Sequence, residues 1–242
     1  MSENINEHPD FDEFDENSDS FSDDDDEEGY EPEEIPIYPQ QSVIFPWENM
    51  TLRITDPITL QMFDDAKIEE EKVVGITYQR DGSSGLPPVG SLGVAVYVFE
   101  LTKTNTSLHF AKVTGVVRYT IEEYVETDKP YPVARVNYFD DDYDENAEAF
   151  KAKLVGDLKA ILQKMIDNSP TAKNRVYIGG DLFTPDKAEM YSFIFWWWHK
   201  LNSDTRLFFL GLRSTYQRLA CLNDALTKGL EDSKNKKRGS NN

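Results

Sequence analysis

Three histidines, one cysteine and 45 acidic residues are the groups in this 242-residue chain with the pKa values or ligand atoms that most chemistry needs. Their spacing assembles little. His8, His109 and His199 are each isolated, with no partner at metal-ligand spacing, so none reads as a zinc ligand. Cys221 stands alone, which excludes a Cys-x-x-Cys metal site and an internal disulfide. It falls on or near the apolar face of the last helix and reads as core. Asp64-Asp65 and Asp140-Asp141-Asp142 are adjacent in sequence and read as solvated segment ends, not as an acid/base pair. No G-x-x-x-x-G-K-[ST] loop exists to cradle a phosphate, and "DGSSG" (81–85) resembles one only in composition. The residues point to no catalytic group, no metal and no cofactor.

What remains is binding chemistry. "FIFWWWHKL" (193–201) sets three tryptophans in a row among other apolar residues. The unbroken apolar stretch, Phe193–Trp198, is far shorter than the roughly 20 residues that span a bilayer. A nucleic-acid surface needs a basic stripe, and none exists outside 234–238. The expected partners are therefore neither membrane nor nucleic acid. The single cysteine fits a reducing compartment, and the amino terminus has neither the basic nor the apolar region of a secretory signal, so the expected location is cytoplasmic.

The net charge of −20 is unevenly spread. Seventeen of the 45 acids lie in residues 1–40, which hold no Lys or Arg; the other 28 face 25 bases in a nearly neutral body. Residues 1–34 read as a disordered acidic tail, because so few aliphatics cannot offset the ordering entropy. Phe11, Phe14, Phe21 and Tyr30 are spaced through the acid. The tail reads either as a solubiliser or as an acidic-aromatic segment that folds onto a basic partner. Ser18, Ser20 and Ser22 adjoin acidic runs of the kind acid-directed kinases favour.

The body needs elements that hold its aromatics in place. "IPIYPQQSVIFP" (35–46) suits a strand at a sheet edge or rim, given its prolines. "TLRI" is a short extended piece. Asp56-Pro57 starts a helix with Ile58, Met62, Phe63 and Ala66 on one face. "KVVGITYQ", "SLGVAVYVFEL", "LHFAKVTGVVRYTIEEYVE" and "YPVARVNYF" are strands separated by turns, which argues for a small closed or half-closed barrel over 35–143. From 144 to 231 the period becomes helical. Phe150, Leu154, Leu158, Ile161, Leu162, Met165 and Ile166 mark one face of a helix over 147–168. Thr184-Pro185 opens the tryptophan helix, Ser203 caps a short one, and Ser214 caps a last one carrying Tyr216, Leu219, Leu222 or Asn223, Leu226 and Leu230. Residues 232–242 form a small basic, frayed tail. The fold class is α+β: a small six-stranded pseudo-β-barrel lobe followed by a helical lobe.

"VTGVVRYTIEEYVETDKPYPVARV" (113–136) resembles the amino-terminal, substrate-binding domain of Lon proteases. The likeness rests on Gly115, Arg118-Tyr119, Ile121, Pro130-Tyr131, Ala134 and Val136. "VIFP" (43–46) is similar to that family's opening strand, and Gly90-Ser91 to its Gly-Thr. Trp47 stands where the family usually has Gly after the Pro. "FIFWWWHKLNSDTRLFFLGLRSTYQRL" (193–219) resembles the helical part of stand-alone Lon-domain proteins, so the likeness covers about 35–230. The resemblance implies a six-stranded pseudo-barrel with a helical lobe. It also implies a non-catalytic module for unfolded or flexible protein segments, or for one dedicated protein partner. The chain carries no Walker motif and no Ser-Lys peptidase module of the full protease. An adaptor or regulator in protein quality control is the expected role. The alternatives are an acidic-tail protein for basic partners, or a protease-associated protein with peptidase activity of its own.

Most of the tryptophan run fits core between barrel and helices, since Met190, Ile194, Trp197 and Leu201 form one stripe and Tyr191, Phe195 and Trp198 another. Trp196 falls near Glu189 and Lys200 on the polar side. Trp47, beside the proline turn, and Trp196 are the candidate protein-binding residues.

Overall fold

The computed structural model describes residues 33–68, 73–80, 83, 85–143, 145–167, 184–194 and 201–239. Six strands come first: β1 (Glu33–Gln40), β2 (Asn49–Ile54), β3 (Val73–Tyr78), β4 (Leu92–Thr102), β5 (His109–Val125) and β6 (Val133–Phe139). Helix α1 (Pro57–Ile68) lies between β2 and β3. Among the described residues, four α-helices follow the strands: α2 (Glu145–Asp167), α3 (Ala188–Ile194), α4 (Ser203–Gly211) and α5 (Thr215–Gly239).

The strand order is β2-β5-β4-β3-β1-β6, and β5 pairs with β6 as well. That last pairing closes β5-β4-β3-β1-β6 into a ring, with β2 on the outer flank of β5. The length of β5 makes this possible: its first half pairs with β2 and its second half with β6. A bulge at Val116 re-aims the strand between the two halves. Ile35, Ile37, Ala95, Tyr119, Ile121, Ala134 and Val136 fill the ring. Tyr119 crosses it to Thr77, hydroxyl to hydroxyl at 2.7 Å. Burial pushes the Tyr119 phenol well above its ordinary pKa, so it stays a neutral hydrogen-bonding group. Gly93 is required here, since a Cβ would overlap the Tyr119 ring.

The prolines of β1 point to a sheet edge, but β1 lies between β3 and β6. It hands over from one neighbour to the other: Glu33–Pro36 pair with β6, and Ile37–Gln40 run parallel to β3. Each half thus pairs along one side only, which is how Pro36 and Pro39 are tolerated. Glu33 and Glu34 belong to the sheet; Tyr138 donates to Glu33 at 2.9 Å and Arg135 pairs with Glu34 at 3.1 Å. Removing residues 33 and 34 in addition to 1–32 should therefore lower the urea midpoint below that of a chain starting at 33, as chemical denaturation of the pair will show.

Several helix expectations hold in detail and others shift. Asp56 caps α1, its Oδ2 accepting from the Thr59 amide at 2.7 Å, and these bonds lower its pKa. Met62, Phe63 and Ala66 are buried, while Ile58, in the first turn, is exposed. Thr184 has extended cap geometry but makes no capping bond, and a 3-10 turn (Pro185–Lys187) precedes α3. Asn202, not Ser203, caps α4, accepting from Thr205 at 2.8 Å; the Ser203 hydroxyl is spent on the Gln41 carbonyl. Ser214 caps α5 through the Gln217 amide. Leu219, Leu222, Asn223 and Leu226 are buried on α5, but Cys221 is exposed, one step round from that face, and is not core. Phe150 is also exposed and meets Tyr216 edge-on at 6.0 Å. Helix α5 runs on to Gly239, past the basic residues that read as frayed. No helix among the described residues is long and apolar enough to cross a membrane.

Candidate recognition surface at the lobe junction

The main core runs continuously from β-strands to helices. It joins Val94, Val96 and Val113 to Phe193, Leu210, Leu219, Leu222, Leu158 and Leu162. Two polar assemblies sit where the lobes meet. Both are built from residues far apart in sequence, Val43 to Arg206 in the first and Arg118 to Arg218 in the second.

The first is the turn after "VIFP". Phe45 accepts from the Glu48 amide at 3.1 Å, with Pro46 and Trp47 at the centre of the turn. Trp47 has φ +60°, and among the described residues no other non-glycine has positive φ. Positive φ at the position after a central proline defines a type II turn, which favours Gly there. The Trp47 amide donates to Gly115 O (2.8 Å), and the Gly115 amide donates to Glu48 O (2.9 Å). Two turn residues thus face one residue of β5, a bulge whose left-handed position usually falls to Gly. The turn forms with tryptophan in its place, at a backbone cost of about 1–2 kcal/mol.

The surroundings hold that conformation. A Cβ on Gly115 would overlap the Phe45 carbonyl oxygen, so only glycine lets β5 approach so closely. Arg206 of α4 reaches across with two bonds to the Val43 carbonyl (3.1 and 2.7 Å) and one to Glu48 Oε2 (2.6 Å). The same carboxylate oxygen accepts from the Phe45 amide at 2.9 Å, and the guanidinium lies 4.4 Å from the Phe45 ring centre. Trp47 stays 41% exposed, with its ring 6.1 Å from that of buried Phe193.

The second assembly is Arg118-Asp141-Arg218. Arg118 of β5 and Arg218 of α5 are buried, and both bind Asp141 just after β6. Arg218 contacts the carboxylate at 2.7 and 2.5 Å, Arg118 at 2.8 Å, and the Thr215 hydroxyl at 2.5 Å. Arg118 also donates to the carbonyls of Leu210 and Leu212, and Arg218 to the Leu212 carbonyl and the Ser192 hydroxyl oxygen. Phe193 lies under both guanidinium groups, 4.0 Å from Arg218 and 5.2 Å from Arg118. Burial raises the Asp141 carboxyl pKa, but the Arg218 and Thr215 hydrogen bonds and the two positive charges outweigh it, and the net shift is downward. Asp141 is therefore no solvated segment end. Its neighbour Glu189 is shifted upward by burial and by Asp141, with Arg218 and Arg118 opposing.

That upward shift has a testable sign. A carboxyl raised above 4.5 in the folded state costs stability when charged, and nothing when both states are protonated. Glu189→Gln should raise the urea midpoint at pH 7, and the two proteins should converge below about pH 4.5.

Of the two tryptophans chosen from sequence, Trp47 lies on this junction and Trp196 lies outside the described residues. The Arg118-Asp141-Arg218 cluster was missed, although "RYT", "DDD" and "YQRL" each carried one member of the triad. His109 is structural: its Nδ1 accepts from the Thr104 amide at 3.2 Å. No group of three metal-ligating side chains exists among the described residues.

The chain belongs to the ATP-dependent protease La (LON) substrate-binding domain family, whose profile matches residues 34–228. Two solved structures share the fold. One is the Lon N-terminal domain protein from Xanthomonas campestris, with TM-score 0.53 and 18% identity over 78% of this chain and 96% of that one. The other is the N-terminal domain of Mycobacterium avium complex Lon protease, with TM-score 0.54 and 16% identity over 81% and 98%. No curated protein matches the chain.

Proposed function

We propose that this chain is a non-catalytic module that grips unfolded or flexible polypeptide segments and serves as an adaptor or regulator in protein quality control. Family membership supports substrate recognition. The observation that carries the residue-level reading is Trp47, a large aromatic kept partly exposed on a strained turn that both lobes pin. Strained backbone of this kind persists only where its surroundings over-determine it, and it clusters at ligand-binding sites. Tryptophan is also the side chain most often found as an interface anchor. Trp196 is a second anchor candidate; Trp196→Ala should then leave the denaturation midpoint in place, whereas a core tryptophan would cost about 3–5 kcal/mol.

The strain itself is measurable. Trp47→Gly and Trp47→Ala both remove the indole, but only glycine accepts φ +60° without cost. The glycine variant should be the more stable by about 1 kcal/mol, the reverse of the usual order. Equal midpoints would show that the turn relaxes when the indole is gone. The pure protein should neither hydrolyse ATP nor cleave casein. Turnover that co-purifies with the folded chain would overturn the non-catalytic reading.

A further inference from the structure

Closure of the ring leaves one strand with a single neighbour. Among the described residues each of the other five strands has at least two partners, while β2 pairs only with β5. Its backbone phase follows from the turn before it. The Gly115 amide donates to Glu48 O, so the alternation of an antiparallel ladder aims the amides and carbonyls of Met50, Leu52 and Ile54 at β5. Those of Asn49, Thr51 and Arg53 aim the other way. All three residues are exposed, and among the described residues none of their backbone groups has a backbone partner. Natural sheets blunt such an edge with lysine, proline or a covering element. The strand "NMTLRI" has neither lysine nor proline, and its outward residues are uncovered.

A line of free N–H and C=O groups selects an extended backbone whose own groups are unpaired. A native domain has spent those groups inside its own helices and sheets; an unfolded segment has not. Main-chain pairing also reads no particular sequence, which suits a module for varied unfolded segments. The edge begins two residues beyond exposed Trp47, so a strand added along β2 continues onto the turn that carries the indole. A second copy of this chain would offer the same edge, but each copy carries a net charge of −20, which opposes self-association.

We propose that β2 takes an extended segment of an unfolded protein as an added strand, held by the outward backbone groups of Asn49, Thr51 and Arg53; this rests on the recognition reading above. The test records residue-resolved amide hydrogen exchange by NMR in the full chain, alone and with reduced, alkylated α-lactalbumin. Alone, the amides of Asn49, Thr51 and Arg53 should exchange fast and those of Met50, Leu52 and Ile54 slowly. With the polypeptide the first set should slow at least about tenfold, a change at alternate residues that side-chain docking does not produce. Thr51→Pro removes an outward N–H that β5 does not use, and should weaken binding at least about fivefold. Thr51→Val keeps the backbone and should bind as the parent does. Should Thr51→Pro fail to fold, the exchange pattern of the parent decides. Binding that leaves the outward amides fast, or a folded Thr51→Pro that binds as the parent does, would overturn this inference alone; no binding at all would overturn the recognition reading with it. Outward amides already slow in the free chain, or slowing as its own concentration rises, would give the edge to a segment of this chain or to a second copy and would likewise overturn it.

Discussion

Asp141→Ala should destabilise the fold by about 3–5 kcal/mol, because it strands two buried guanidinium groups without their counter-charge. For a domain of this size that is a fall in melting temperature of about 6–20 °C. Asp141→Asn keeps the shape and part of the hydrogen bonding and should fall between the variant and the parent. The cost comes from the orphaned arginines, not from the net worth of the cluster. A triple variant with Arg118, Asp141 and Arg218 all apolar and of similar volume should therefore recover most of the loss. Calorimetry of the three variants checks the order. The same cluster sets the acid limit: the lowered Asp141 pKa contributes stability above its ordinary value of 3.8, and this is lost as pH falls through the folded value below it. In Asp141→Asn that segment of the acid transition should be absent.

Gly115→Ala is the second large effect. The added methyl meets backbone, the Phe45 carbonyl, so no side-chain rotation relieves it. The turn must lift from β5, losing the paired bonds of Trp47, Glu48 and Gly115 and loosening the Arg206 clamp. A cost above about 4 kcal/mol is expected, in the class reserved for a named steric or network failure. Gly156→Ala is the control: a Cβ there has nothing within 4 Å, and in a helix alanine should stabilise. An unchanged midpoint for Gly115→Ala would mean that the turn is not seated on β5.

The strands and helices were legible because composition and punctuation report local preference: the Val-rich run "GVAVYVF" between turns, and Asp56-Pro57 at a helix start. The placement of β1 was not, because its prolines report a one-sided strand without saying that two partners share it. Asp141 was illegible for a different reason. Three adjacent acids look solvated unless one knows that Arg118 and Arg218, 23 residues before and 77 after, converge on the middle one. Cys221 and Phe150 show the limit of a helical wheel, which gives a face but not its width. Trp47 stood out because it adjoins the proline turn, where no strand or helix phase buries it; the family's Gly at that position put a tight turn in doubt, yet the turn forms, with backbone strain and an exposed indole.

Recognition of unfolded polypeptide with Trp47 as an anchor can be measured by binding. The most direct test titrates the full chain, and its Trp47→Gly variant, with one polypeptide in two forms: native, and reduced and alkylated. The unfolded form should bind in preference to the native one. Loss of an anchor is worth about 1–3 kcal/mol, so the variant should bind about 5- to 150-fold more weakly while remaining folded. Equal affinity for the two forms, or a Trp47→Gly variant that binds as the parent does, would contradict it.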